Sequence, residues 1–254
     1  MLEAALPRDV SVLLLVLVAV GVLVAGTISG LTGFGFNLTS VPLLALFLPA
    51  RIAIAVSLTT GLAIIVTMLS SSTIRRQVDR ATTWTLLRAG VVGIPIGLTV
   101  FRFANETFLS VLVGVITLGY ALVALFVRFP ERRPTVLAAS LAGGLSGALS
   151  SSTGLAGPPV VLFAHRSGLV AARFRATLMA FFLPLSTASV TLMIALGLVP
   201  TRILVLATVL VPFALGGMVL GRTTFHRLQE QRFRQVVLGF LLLIGLSNII
   251  RALL

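Results

Sequence analysis

The sequence predicts an all-α integral membrane protein made of two inverted repeats, with about eight full transmembrane helices and two short half-helices after glycine-rich breaks. Three observations carry that expectation. Of the 254 residues, 58% are hydrophobic and only 10% charged, far less polar surface than a soluble domain needs. Apolar runs of about 20 residues, the length that crosses a hydrocarbon core of about 30 Å, recur from end to end. These runs are continuous rather than alternating. That is the helical signature, because a segment in lipid must satisfy its own backbone groups.

The apolar runs fall at 10–30, 39–49, 52–72, 83–101, 107–127, 134–150, 158–165, 175–197, 203–221 and 235–254. The first follows Met-Leu-Glu-Ala-Ala-Leu-Pro-Arg. With Glu3, a single arginine and no Ala-x-Ala exit, it reads as a retained first helix rather than a cleaved leader. Runs 39–49 and 158–165 are too short to span, since about 1.5 Å per residue takes them only part of the way across. Each follows a polar, glycine-rich interruption. The first is Gly30-Leu-Thr-Gly-Phe-Gly-Phe-Asn-Leu-Thr-Ser-Val-Pro42 and the second is Ser150-Ser-Ser-Thr-Gly-Leu-Ala-Gly-Pro-Pro-Val-Val161.

The two short runs occupy equivalent places in two halves. Ala25-Gly-Thr-Ile-Ser-Gly30 pairs with Ala142-Gly-Gly-Leu-Ser-Gly147, and a proline follows twelve residues later in each half, at Pro42 and Pro159. Ala50-Arg51 and Ala172-Arg173 then open the next runs. This ordered match predicts one transmembrane domain made of a repeat over 5–128 and a second over 134–254. Five segments per repeat is an odd number, so the two repeats face opposite ways. Arginine placement agrees. Thirteen arginines fall in the connections 73–82, 128–133, 166–175 and 222–234, against five (Arg8, Arg51, Arg102, Arg202 and Arg251) on the other side. The positive-inside rule then puts the arginine-rich connections in the cytoplasm and both termini outside.

Composition also excludes classes of function. There is no cysteine, and all 19 basic residues are arginine, so thiolate metal sites and disulfides are ruled out. The net charge of +13 comes from arginines at the ends of apolar runs, where they set topology and anchor to lipid headgroups. No soluble basic domain exists to bind nucleic acid. His-Glu-x-x-His, Gly-x-Ser-x-Gly and Walker A patterns are missing, and the serine-rich patch has no His–Asp pair beside it. The expectation is no enzyme, no cofactor and no metal. With no nucleotide-binding domain, active transport would draw on an ion gradient or a separate subunit.

Non-helical backbone at membrane depth is tolerated where it is buried in protein or lines an aqueous cavity, and inverted repeats bring two such breaks together. In both breaks, hydroxyl or amide residues precede a proline that suits the first turn of a short helix. A helix start presents free N–H groups and about half a positive charge, and glycines let an anion approach that backbone. The candidate binding residues are therefore Gly33, Phe34, Gly35, Asn37, Thr39 and Ser40 in the first break. In the second they are Ser151, Ser152, Thr153, Gly154 and Gly157. Arg175 joins them as a cation near the second short helix. The plainer reading of these residues is close helix packing, where Gly, Ser and Thr are ordinary. All six acidic residues lie at connections or the N-terminus, with none inside a span, which favours an anionic over a cationic substrate. Arg51 and Arg88, near helix ends, suit lipid headgroups as well as a substrate, and His165 suits the interface as well as a proton relay.

Thr32-Gly-Phe-Gly-Phe-Asn-Leu-Thr-Ser-Val-Pro-Leu-Leu44 resembles the glycine-rich first motif of the sulfite exporter TauE/SafE family, also called the toluene sulfonate uptake permease family. Thr153-Gly-Leu-Ala-Gly-Pro-Pro-Val-Val161 resembles that family's Gly-Pro-Pro motif, and Phe174-Arg-Ala-Thr177 fits as well. The resemblance covers nearly the whole chain. It implies a permease of the bacterial inner membrane for small sulfur-containing anions: sulfite, sulfonates, sulfoacetate or thiosulfate. Many members carry consecutive glycines where this chain has Gly33-Phe-Gly-Phe36, so Phe34 and Phe36 make the first break bulkier. The function expected is a secondary transporter working by alternating access; the alternative is a passive anion channel of the same architecture.

Overall fold

Capping residues and glycines decide where the helices begin and end. The computed structural model describes residues 12–127, 135–166, 170–224 and 230–253. Arg8, Arg128, Arg132, Arg133 and Arg227 lie outside the described residues, as do the side chains of His165, Arg166, Arg232 and Arg234. The chain forms α1 (Val12–Thr32), α2 (Phe36–Leu44), α3 (Ala50–Leu69), α4 (Ser72–Arg76), α5 (Arg80–Phe103) and α6 (Glu106–Phe126). It continues with α7 (Val136–Thr153), α8 (Gly157–Arg166), α9 (Ala171–Ala195), α10 (Thr201–Thr224) and α11 (Glu230–Leu253). There is no strand among the described residues.

Three of these helices start on a side-chain cap. Asp79 accepts the Thr82 N–H at 3.4 Å and the Thr82 hydroxyl at 3.0 Å to open α5. Asn105 accepts the Phe108 N–H at 2.7 Å to open α6, and Thr135 accepts the Ala138 N–H at 3.2 Å to open α7. Each cap satisfies a helix-end donor for about 1 kcal/mol. At the other end of α7, Gly154 turns left-handed with φ 74° and donates its N–H to the Ser150 carbonyl at 3.0 Å. A side chain there would be strained, so glycine stops the helix.

All ten expected segments contain a helix, but the first short one runs Phe36–Leu44 rather than 39–49, so Pro42 is its seventh residue and not in its first turn, whereas Pro158 and Pro159 do open α8. α4 is an addition: four polar or basic residues around Ile74 in a connection give no hydropathy signal. Seven of the eight long helices are long and apolar enough to cross a membrane. The exception is α7, only 18 residues long and rich in glycine and serine through Thr153, so its mean hydropathy is low.

α3 lies at the centre, with 67% of its span buried against 33% for α1, α6 and α10. α9 packs beside it, half buried. The outer helices keep large apolar side chains on the surface, among them Val92 and Ile96 of α5 and Leu243 of α11. In water such a surface would drive aggregation; in a bilayer it faces lipid.

The major contacts are α5 with α7, α1 with α10, and α6 with α11, followed by α3 with α10 and α5 with α9. Exchange α1, α2, α3, α5 and α6 with α7, α8, α9, α10 and α11 in that order. The α1–α10 pair becomes α7–α5, α3–α10 becomes α9–α5, and α6–α11 and α3–α9 map onto themselves. Glycines permit the two tightest crossings. Gly26 and Gly30 of α1 lie against backbone atoms of Ala214 and Met218 of α10, and Gly143 and Gly147 of α7 lie against those of Leu86 and Gly90 of α5. A Cβ at any of these would overlap main-chain atoms of the facing helix, which is why small residues recur every four positions.

Candidate functional site

The two breaks meet. A cavity of about 50 Å³ is lined by Phe34, Gly35, Phe36, Asn37 and Leu38 from the first, and by Gly154, Leu155, Ala156 and Gly157 from the second. Ser29 of α1, Gly61, Ile64 and Ile65 of α3, and Met179, Phe182 and Ser186 of α9 complete the wall. At about 10–15 Å³ per water-sized centre it has room for a few waters or one small ion.

Local chemistry explains why backbone is available here. Gly33 and Gly35 have φ of 81° and 88°, a region in which a side chain is strained. α2 can therefore start abruptly at Phe36. Its first internal bond runs from the Thr39 N–H to the Gly35 carbonyl at 3.2 Å, so the N–H groups of Phe36, Asn37 and Leu38 have no intrahelical acceptor. α8 starts at Gly157 on the opposite wall. Pro158 and Pro159 have no N–H, so α8 contributes its dipole but fewer donors than α2.

The polar side chains in the wall are Ser29, Asn37 and Ser186. Ser29 is 1% exposed and Ser186 2%. The Asn37 Oδ1 is also buried and unpaired. A Cβ on Gly61 would lie 2.5 Å from that oxygen, so the glycine makes room for the amide. Buried polar atoms without partners are uncommon, and the Asn37 Oδ1 is the one in this wall; with the Ser29 and Ser186 side chains it gives the cavity a polar side.

Of the residues singled out in the sequence, Phe34, Gly35, Asn37, Gly154 and Gly157 line the cavity. Gly33 sits just outside it, packed against Arg175, whose Cδ would be 2.5 Å from a Cβ there. Arg175 thus lies beside the first break, and its neighbour Phe174 meets Phe34 edge-on with ring centroids 5.8 Å apart. Thr39 and Ser40 are buried in α2 away from the cavity, and the Ser40 hydroxyl is unpaired.

The three hydroxyl residues ahead of Gly154 belong to the last turn of α7 and do not reach the cavity. Ser151 donates to the carbonyls of Ile94 at 2.8 Å and Gly147 at 3.0 Å. Ser152 donates to Ala148 at 2.7 Å, and Thr153 to Leu149 at 2.9 Å. All three bond within α7, and Ser151 also ties it to α5. Arg88 is exposed on α5. Arg51 is tied to the α5–α6 turn, with Nε 3.4 Å from the Glu106 carboxylate and its guanidinium donating to the carbonyls of Arg102 and Ala104.

The sequence reading missed Ser29, Gly61 and Ser186. Ser186 and Gly61 carry a usable signal, since each is a small residue in the middle of an apolar span. Among the described residues, no three His, Asp or Glu side chains stand close enough to hold a metal.

Long apolar helices around a central α3–α9 pair, with two short helices starting at one cavity, define a polytopic helical membrane protein. The family model for the sulfite exporter TauE/SafE matches residues 17–248, and the chain belongs to that family, whose members are membrane transporters of sulfite and related sulfur compounds. Searches of curated proteins and of solved structures found no match to the chain.

Proposed function

We propose that this protein is a secondary transporter that carries a small sulfur-containing anion across the bacterial inner membrane by alternating access. The observation that carries the reading is the meeting of the starts of α2 and α8 in one cavity, each offering a partial positive charge to an anion. The anion lies against the backbone of Gly35–Leu38 and Gly154–Gly157 and takes hydrogen bonds from the hydroxyls of Ser29 and Ser186 and from the Asn37 amide N–H, while the Asn37 Oδ1 stays against Gly61. Arg175, beside Gly33, draws anions toward the break. Ser151, Ser152 and Thr153 hold the end of α7 and so fix where Gly154 turns.

The exchange pattern of helix contacts and the matched glycine crossings support two repeats over 5–128 and 134–254. The grouping of the connections into two opposite ends is supported by two contacts. Arg51 meets Glu106 at one set of connections, and the Asp79 N–H donates to the Thr177 hydroxyl at 3.1 Å at the other. Inverted repeats then let one helix group rock against the other around the fixed site.

The test is flux in proteoliposomes. Labelled sulfite or methanesulfonate should show saturable uptake and counterflow when the unlabelled anion is trapped inside. Non-saturating flux without counterflow, accompanied by unitary currents, would replace the carrier with a channel.

A further inference from the structure

We infer that the outward face of α5 binds one anionic phospholipid, its phosphate held between Arg80 and Arg88 and an acyl chain lying along Val92 and Ile96. The exposed positions of α5 recur at steps of three and four residues, through Arg80, Trp84, Arg88, Val91 and Val92 to Ile96. That spacing is one face of a helix. The opposite face is packed: Leu86 and Gly90 lie against α7, and Gly90 also faces Phe181 and Leu185 of α9. Trp84, Val92 and Ile96 are 59%, 71% and 62% exposed, so in a bilayer this face meets lipid.

Arg88 is the anomaly on that face. α5 begins at Arg80, so at about 1.5 Å per residue Arg88 lies about 12 Å further along the span. A cation that deep and turned to lipid is costly without an anion beside it. The two carboxylate side chains among the described residues do not supply one, since Asp79 caps α5 and Glu106 pairs with Arg51. Helix side chains lean toward the N-terminus, which carries the Arg88 guanidinium back toward Trp84 and Arg80. Tryptophan rings settle at the boundary between headgroups and acyl chains. A lipid phosphate at the level of Trp84 then meets Arg88 from below and Arg80 from above, in charge-assisted hydrogen bonds. Val91, Val92 and Ile96 offer the apolar surface that its acyl chain covers.

Trp84 is the one tryptophan of the chain and reports on this face directly. The full chain is reconstituted in phosphatidylcholine vesicles that hold a small fraction of brominated phosphatidylglycerol or, separately, brominated phosphatidylcholine. Quenching of tryptophan fluorescence gives the relative affinity of the two lipids. Phosphatidylglycerol should be preferred at least about fivefold, since each arginine near an anionic lipid contributes about that factor. Arg88→Gln should lower the preference about fivefold. Arg102→Gln, the same charge change in the last turn of α5, should leave it in place. If Arg88→Gln does not fold, Arg80→Gln takes its part. Equal quenching by the two lipids would overturn the inference, as would an unchanged preference in Arg88→Gln. Equal loss in Arg102→Gln would make the preference an effect of net charge and overturn it too. Reversal by inorganic phosphate, but not by chloride at the same ionic strength, would give the arginines to free phosphate instead of a lipid. Failure of both brominated lipids to quench Trp84 would show the face covered by protein. Either result would also overturn the inference, and none of them bears on the anion cavity.

Discussion

Asn37→Asp is the sharpest perturbation of the proposed site. Asn37 is the second residue of α2, and its side chain lines the cavity. Aspartate keeps the shape and adds one negative charge. At a helix start that charge favours the fold by about 0.3–1 kcal/mol, so weak binding would not reflect a damaged helix. A bound anion would sit on the order of 4 Å from the new carboxylate, where an effective dielectric of about 20 gives a repulsion of about 4 kcal/mol. That corresponds to about three powers of ten in affinity. Asn37→Ala, which removes a hydrogen-bonding group without adding charge, should cost about tenfold. Calorimetry with sulfite and with methanesulfonate, alongside circular dichroism and melting temperature, reads both variants. An Asn37→Asp protein that binds either anion within about threefold of the parent would refute the placement of the anion against α2.

Further expectations follow from the packing. Gly147→Ala puts a Cβ 2.7 Å from the Gly90 carbonyl carbon and 3.0 Å from its Cα. The α5–α7 crossing must open, at about 1–3 kcal/mol, whereas Gly239→Ala meets nothing within 4 Å and should not lower the melting temperature. Glu106→Gln removes the ion pair to Arg51, whose two side chains are 46% and 20% exposed, so it should cost under about 1 kcal/mol. Arg51→Gln also frees the carbonyls of Arg102 and Ala104 and should cost more in a thermal melt, with anion affinity unchanged in both. Phe34→Ala removes the edge-on contact to Phe174 and one wall of the cavity. Benzenesulfonate should then gain about tenfold in affinity relative to methanesulfonate in a competition assay.

The helices were legible because hydropathy and length are local properties, but the end of α7 was not: the run was expected to stop at 150, and the helix continues to Thr153 before Gly154 turns left-handed. α4 was not legible, since a five-residue polar helix in a connection has no periodic signal. Phe34, Gly35, Asn37, Gly154 and Gly157, which line the cavity, stand out in the sequence because they interrupt apolar runs. Ser151, Ser152 and Thr153 carry the same surface signal, yet their hydroxyls bond carbonyls one turn back and across to Ile94. Chain position could not reveal that, because it depends on which face of α7 packs on α5.

By itself the sequence determined a helical membrane protein with two short, glycine-broken segments, since lipid forces every spanning stretch to be apolar and self-bonded. The tertiary structure decided which polar groups share the cavity. Ser29, Asn37 and Ser186 come from α1, α2 and α9, and only helix packing sets them around one space. It also decided that Arg175 lies against Gly33 rather than in the cavity wall. The electrostatics of a site depend on distance in space, which separation along the chain does not encode.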